Sequence, residues 1–178
     1  TTAHRLAHAL RSRGYLSATR EGFALGPKLL QLGALAEEQT DYVRLAHPLI
    51  ELLSEQTGFC TFVGQREDDW SRHLDRVMGR QRLRVATAPG DRRPVAETGL
   101  GKALLLDESP ETLVDLYQKS RNGQATDRDV KQWLAAMKAN QNKQLVLHDS
   151  ELGDAVRSIA APVRNAKGEI CIAISIAS

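Results

Sequence analysis

The run Thr98-Gly99-Leu100-Gly101-Lys102-Ala103 puts glycines and a lysine at what reads as the opening of a helix. Free backbone amides at such an opening attract anions, and a residue without a side chain lets a ligand carboxylate come close. The run lacks the length of a P-loop and the Ser or Thr that follows the P-loop lysine, so a nucleotide site is not expected. A plainer reading stays open beside the anion site, in which the glycines do no more than permit a tight turn.

His148-Asp149, Ser158 and Ser175 are the other residues with chemistry to offer. Ser158 and Ser175 interrupt apolar runs, where a hydroxyl must either bond backbone or face a cavity. Ser158, His148 and Asp149 do not make a hydrolytic triad, because neighbouring side chains on an extended segment point to opposite faces. No catalytic residue is therefore expected, and the chain does not read as an enzyme. His4 and His8 have the spacing of metal ligands on a helix but no third ligand, so neither a metal nor another cofactor is expected. His47 and His73 belong to no visible constellation. Cys60 and Cys171, far apart and without metal-ligand spacing, read as free, buried thiols.

Basic residues gather at the N-terminus, where His4, Arg5, Arg11, Arg13 and Arg20 face a single acid, Glu21. The whole chain carries a formal charge of only +2, so it is this local cluster that points to phosphates. Ala3, Leu6, Ala7 and Leu10 share one face of a helix that Gly14 stops. Tyr15-Leu16 and Phe23-Ala24-Leu25 then read as strands joined by the turn Thr19-Arg20-Glu21-Gly22, and Pro27 opens the next helix. This succession is the back half of a winged helix-turn-helix. In that reading Thr1, Thr2, His4 and Arg5 lie near the start of a recognition helix, and Arg20 at the wing tip meets a phosphate or the minor groove of double-stranded DNA. The motif needs a preceding helix, so the sequence is expected to begin inside the recognition helix. An ordinary amphipathic helix and hairpin with solvated basic residues is the alternative.

Beyond Pro27 the apolar spacing gives a helix to about Glu38 and another over 41–57, with Pro48 placed to kink it or mark a boundary nearby and Gly58 to stop it. Strands follow at 59–64, 74–77 and 83–86, and Pro89 to Pro94 reads as a loop. After the glycine turn come helices at 110–116 and 130–139, the latter behind a Thr126/Asp129 capping box. Strands at 144–147, 156–163 and 170–176 close the chain, the last two joined at Asn165-Ala166-Lys167-Gly168. The fold class is α+β with a mostly antiparallel sheet, and the domains are expected at 1–26, 27–40 (a linker helix) and 41–178. A hydrophobic fraction of 42% and a charged fraction of 26% suit a soluble globular protein. No stretch has membrane-spanning or signal-peptide character, so a cytoplasmic protein without a membrane partner is expected.

Six blocks in order resemble the IclR-type bacterial transcriptional regulators: His4-Arg5-Leu6, Gly14-Tyr15-Leu16, Leu25 to Gly33, Leu74-Asp75-Arg76-Val77, Thr98 to Leu105, and Val156 to Val163. The resemblance implies a partial N-terminal winged helix-turn-helix, a linker helix and a GAF-like effector domain that binds a small organic acid. It also implies dimers or tetramers that repress or activate at promoters. Carried over position by position, it implies an effector site formed by Gly99, Leu100, His148, Asp149, Ser158 and Ser175. The sequence departs from the pattern at His148-Asp149-Ser150-Glu151, where the family has a more acidic loop, at Val156, where leucine is usual, and at Ala177, where relatives often carry serine. Arg82, Arg84 or Arg93 would add positive charge to the site if they face inward. A C-terminal helix usual in the family is expected to follow Ser178. Three readings result: a ligand-responsive DNA-binding regulator, a small-molecule enzyme or sensor whose N-terminal segment serves dimerisation, and a regulator whose pocket is filled by its own side chains.

Overall fold

The computed structural model describes residues 2–80, 87–149 and 156–178. The chain divides into two compact units, Thr1–Asp41 and Tyr42–Ser178. In the first, α1 (Thr2–Ser12) ends where Gly14 takes φ of 80°. The Tyr15 amide donates to the Leu10 carbonyl at 2.9 Å and the Gly14 amide to the Arg11 carbonyl at 2.9 Å, the paired bonds of a glycine-capped helix end. Strands β1 (Leu16–Thr19) and β2 (Gly22–Leu25) pair antiparallel around Arg20-Glu21, with Thr19 opposite Gly22. Helix α2 (Lys28–Glu38) follows Pro27. Leu6, Leu10, Leu30 and Leu35 are exposed, so the apolar stripes read from the sequence are not buried within this unit.

The second unit opens with α3 (Tyr42–Thr57), which runs on through Pro48 rather than ending there. Then come β3 (Cys60–Glu67), β4 (Trp70–Val77), β5 (Arg92–Pro94), α4 (Gly99–Leu104), α5 (Pro110–Ser120), α6 (Asp127–Lys143), β6 (Val146–Asp149), β7 (Arg157–Arg164) and β8 (Ile170–Ala177). The strands form one six-stranded sheet in the order β5-β4-β3-β8-β7-β6, every neighbouring pair antiparallel. The loop expected at 89–94 thus contains a short edge strand, and the strand expected at 83–86 lies outside the described residues.

Alternation along the strands separates two cores. Val63 and Ile172 face α3 and pack on Ala46 and Ile50. Their neighbours Phe62 and Ala173 turn the other way, with Val146 and Ala160, onto Leu100, Ala103 and Leu104 of α4, and onto Leu113, Leu116, Tyr117, Trp133 and Met137 of α5 and α6. Tyr117 and Trp133 stack with ring centres 4.8 Å apart, which locks α5 to α6. Side-chain caps start all three of these helices: Thr98 accepts from the Gly101 amide, Ser109 from the Thr112 amide, and Thr126 forms a reciprocal capping box with Asp129. Arg164 grips Asp107 with two hydrogen bonds of 2.5 and 2.8 Å, which ties β7 to the end of α4 and holds the Asp107 carboxyl below its ordinary range.

His47 on α3 sits 2.6 Å from the Asp75 carboxylate on β4 and 3.5 Å from Glu51. The hydrogen bond to Asp75, then its charge, raises the imidazole above its usual value. A raised folded-state value means the stabilisation is complete below the unfolded value of about 6.5 and is lost as pH rises through the folded value. We therefore expect His47→Gln to lower the urea midpoint at pH 5.5 and to leave it close to wild type at pH 9. A midpoint difference that stays constant over this range would contradict the pairing.

Candidate functional site

The glycine turn is held by local chemistry before it meets anything else. Thr98, in extended conformation, caps α4 by accepting the Gly101 amide at 2.9 Å, and every residue of the helix is buried. A Cβ at Gly101 would come within 2.1 Å of the Val95 carbonyl, so only glycine lets α4 lie this close to the β5 connection. A Cβ at Gly99 would lie 2.2 Å from the Ser158 hydroxyl and 3.1 Å from Cβ of His148. The sequence reading credits Gly99 with room for a ligand. The structure gives it a further reason, since its missing side chain is what lets α4 seat on β7 and β6.

Beside that contact lies a cavity of about 100 Å³. Its walls include Gly99 and Leu100 of the turn, His148 of β6, Ser158 of β7 and Ser175 of β8. Those are five of the six effector residues expected from the sequence. Asp149 is separate from them: β6 alternates, burying His148 and exposing Asp149, whose carboxylate pairs with Arg157 at 3.1 Å. Asp149 instead borders a neighbouring depression of about 300 Å³ with Phe59, Leu147, Ile159 and Ile176. His148, Ser158 and Ala177 line both spaces. The smaller one is the better candidate, because its wall holds the buried polar side chains His73, Thr87, His148 and Ser175.

Of the three arginines that the sequence offers to the site, Arg93 of β5 lines the cavity, whereas Arg82 and Arg84 lie outside the described residues. His73, Thr87 and Glu97 line it without any signal in the sequence pattern. Thr98, at the start of the glycine run, is also in the lining. Lys102, buried in α4, places Nζ 3.2 Å from Nδ1 of His148 and so joins the helix to β6. His73 projects from β4, its ring edge-on to Phe62 at 5.6 Å. Burial pushes its imidazole below the ordinary value, Asp91 pulls the other way, and the Arg93 charge adds to the lowering. Its Nδ1 is buried without a hydrogen-bond partner among the described residues. Such a group costs about 1–3 kcal/mol when nothing satisfies it.

In the first unit, the side chains proposed to read DNA are exposed along α1 and at the hairpin tip: Thr2, His4, Arg5 and Arg20. His4 also faces His8, ring nitrogen to ring nitrogen at 3.1 Å. Thr1 lies outside the described residues. No group of three or more His, Cys, Asp or Glu able to hold a metal occurs among the described residues, and no described helix is long and apolar enough to cross a membrane.

With this geometry in place, comparison with known proteins is decisive for the family. Residues 35–178 match the model of the bacterial transcriptional regulator IclR C-terminal domain. The chain belongs to the IclR family of bacterial transcriptional regulators. It is 26% identical over 182 residues to the HTH-type transcriptional regulator KipR of Bacillus subtilis, covering 99% of this chain and 72% of KipR. It is 25% identical over 182 residues to KdgR of Escherichia coli, covering 99% of this chain and 69% of KdgR. Among solved structures, Pseudomonas aeruginosa HmgR superposes with a TM-score of 0.79 at 17% identity, over 99% of this chain and 72% of HmgR. The Agobacterium tumefaciens repressor BlcR gives 0.74 at 18%, over 99% of this chain and 71% of BlcR. These two likenesses establish a shared α+β fold. The curated relatives named here are transcriptional regulators, and the IclR-family chain is accordingly a regulator and not an enzyme.

The seating of Gly99 makes a direct prediction for this IclR-family domain. Gly99→Ala drives a methyl group into the Ser158 hydroxyl and is expected to cost about 1–3 kcal/mol in urea unfolding, as overpacked cores do. Adding Ser158→Ala removes the opposing oxygen and is expected to recover part of that loss. Additive destabilisation in the double variant would contradict the contact.

Proposed function

We propose that this chain is part of a one-component regulator in which a small organic acid occupies the cavity between α4 and the sheet and alters the binding of operator DNA. The observation that carries the reading is the cavity itself, where buried polar side chains meet an apolar wall of Phe62, Leu100, Val156 and Ala177. A few placed polar groups on an apolar lining are what a small-ligand site requires. Arg93 in the wall offsets Glu97 of the same lining and supplies the positive charge that a carboxylate favours. Membership of the IclR family supports the role of the domain.

The unit Thr1–Asp41 is proposed as the back half of a winged helix-turn-helix, with α1 as recognition helix, the β1–β2 hairpin as wing and α2 as linker helix. Its support is the order of elements and the basic, exposed faces of Arg5 and Arg20. A cytoplasmic homodimer or homotetramer, placing paired recognition helices over half-sites, fits that role. Ligand must bind one arrangement of the assembly more tightly than another for occupancy to matter.

Each part is testable. On DNA fragments selected in vitro by the protein, Arg20→Ala should weaken binding similarly across sequences and reduce the salt slope by about one, as loss of a single phosphate contact does. Arg5→Ala should weaken selected sequences more than random DNA. Unchanged affinity in both variants would remove DNA reading from this unit. For the pocket, a short carboxylate at 100 times its dissociation constant should stabilise the protein by about 2.7 kcal/mol in thermal shift. Ala177→Val, which narrows the cavity, should at least halve that shift, and an undiminished shift would place the ligand elsewhere.

A further inference from the structure

His73 is fixed in place with its Nδ1 left unsatisfied among the described residues, a combination that a packing role does not explain. Its amide donates to the Asp91 carbonyl at 2.9 Å and its carbonyl accepts from the Gly90 amide at 2.8 Å, so the backbone is bound on both sides. The residue is only 6% exposed, and its ring meets Phe62 at an interplanar angle of 86°. Ser71, two positions earlier on the same inward face of β4, does find partners: its hydroxyl donates to the Arg93 carbonyl at 3.3 Å and lies 3.5 Å from the Thr98 hydroxyl. Gln118 and Trp133 also hold a buried side-chain atom without a partner among the described residues, but neither lines the cavity, whereas His73 does. Phenylalanine or leucine would pack against Phe62 without stranding a polar atom there.

We propose that His73 is a specificity-determining residue of the cavity, which holds the hydroxyl group of a short aliphatic ligand against β4. The proposal rests on the reading of this cavity as the effector site and names what that effector carries. A neutral imidazole offers one donor and one acceptor, and a hydroxyl answers either of them. Burial of the ring favours the neutral form. An apolar cavity of about 150 Å³ holds the six carbons of benzene, so about 100 Å³ encloses roughly four non-hydrogen atoms of a short ligand. Phe62, Leu100, Val156 and Ala177 cover the carbon chain, while Ser175, paired with Phe62 across β3 and β8, adds a hydroxyl to the lining.

The test compares matched pairs by calorimetry on the whole chain: lactate against propionate, and propane-1,2-diol against 1-propanol. In wild type, the hydroxylated member of at least one pair is expected to bind about tenfold tighter or more than its partner, because a site built to bond a hydroxyl rejects the analogue without one. His73→Phe keeps the aromatic contact with Phe62 and is expected to bring that ratio to within about threefold. His73→Asn, which places an amide near the Nδ1 position, is expected to recover part of it. Equal binding of both members of each pair in wild type, or an unchanged ratio in His73→Phe, overturns the assignment while leaving the cavity as a ligand site. Selective binding of the diol alone supports His73 and removes the organic acid from the proposed function. No binding by any of the four compounds overturns the hydroxyl assignment together with the small-effector reading.

Discussion

The close approach of α4 to β7, made possible where Gly99 meets the Ser158 hydroxyl, is the constraint on which the rest of the effector domain depends. A six-residue helix is too short to be stable alone, so its position comes from burial and from its cap. Thr98 fixes where it starts, Gly101 brings it against the Val95 carbonyl, and Leu100, Ala103 and Leu104 anchor it in the core. Once α4 is held there, the space left between its start and the strands β3, β4 and β8 is the cavity. The site is therefore a by-product of how tightly the helix seats, and its size follows from residues that need not touch a ligand at all.

Electrostatics then differentiate the wall. Arg93 stands at an exposed edge strand, while Lys102 reaches His148 from inside the core. His73 lines the cavity in a setting where burial favours its neutral form, so the wall sets an uncharged hydrogen-bonding group beside one cation, Arg93, and one acid, Glu97. Ion pairs elsewhere, such as Arg164 with Asp107 and Arg66 with Glu108, bind the helices to the sheet away from the cavity.

Much of this was legible in the sequence because caps and periods are local. Helix α6 starts directly after the Thr126 cap, α3 starts within a residue of where its apolar spacing puts it, and Gly14 ends α1 through the paired bonds a left-handed glycine permits. The C-terminal hairpin follows from its turn residues in the same way. What escaped was β4 before Leu74 and the edge strand β5. The inward residues of β4 are Ser71 and His73, so the strand lacks the apolar alternation that marks a core-facing segment, and β5 consists of two arginines and a proline. His73 was invisible for the same reason that it is informative: a polar residue faces the interior where pattern reading looks for an apolar one. Gly99, Leu100, His148, Ser158 and Ser175 converge in space, which no spacing along the chain could show, and Asp149 leaves the group because strand geometry turns it outward.

The central claim is that occupancy of this cavity is coupled to DNA binding. The most direct measurement is the affinity of the protein for one selected DNA fragment, at fixed salt, with and without a saturating short carboxylate shown to bind the cavity. The account predicts a change of at least about fivefold, the lower end of usual coupling between sites, and a matching change in ligand affinity when DNA is bound. Identical DNA affinity in the presence and absence of bound ligand would contradict it.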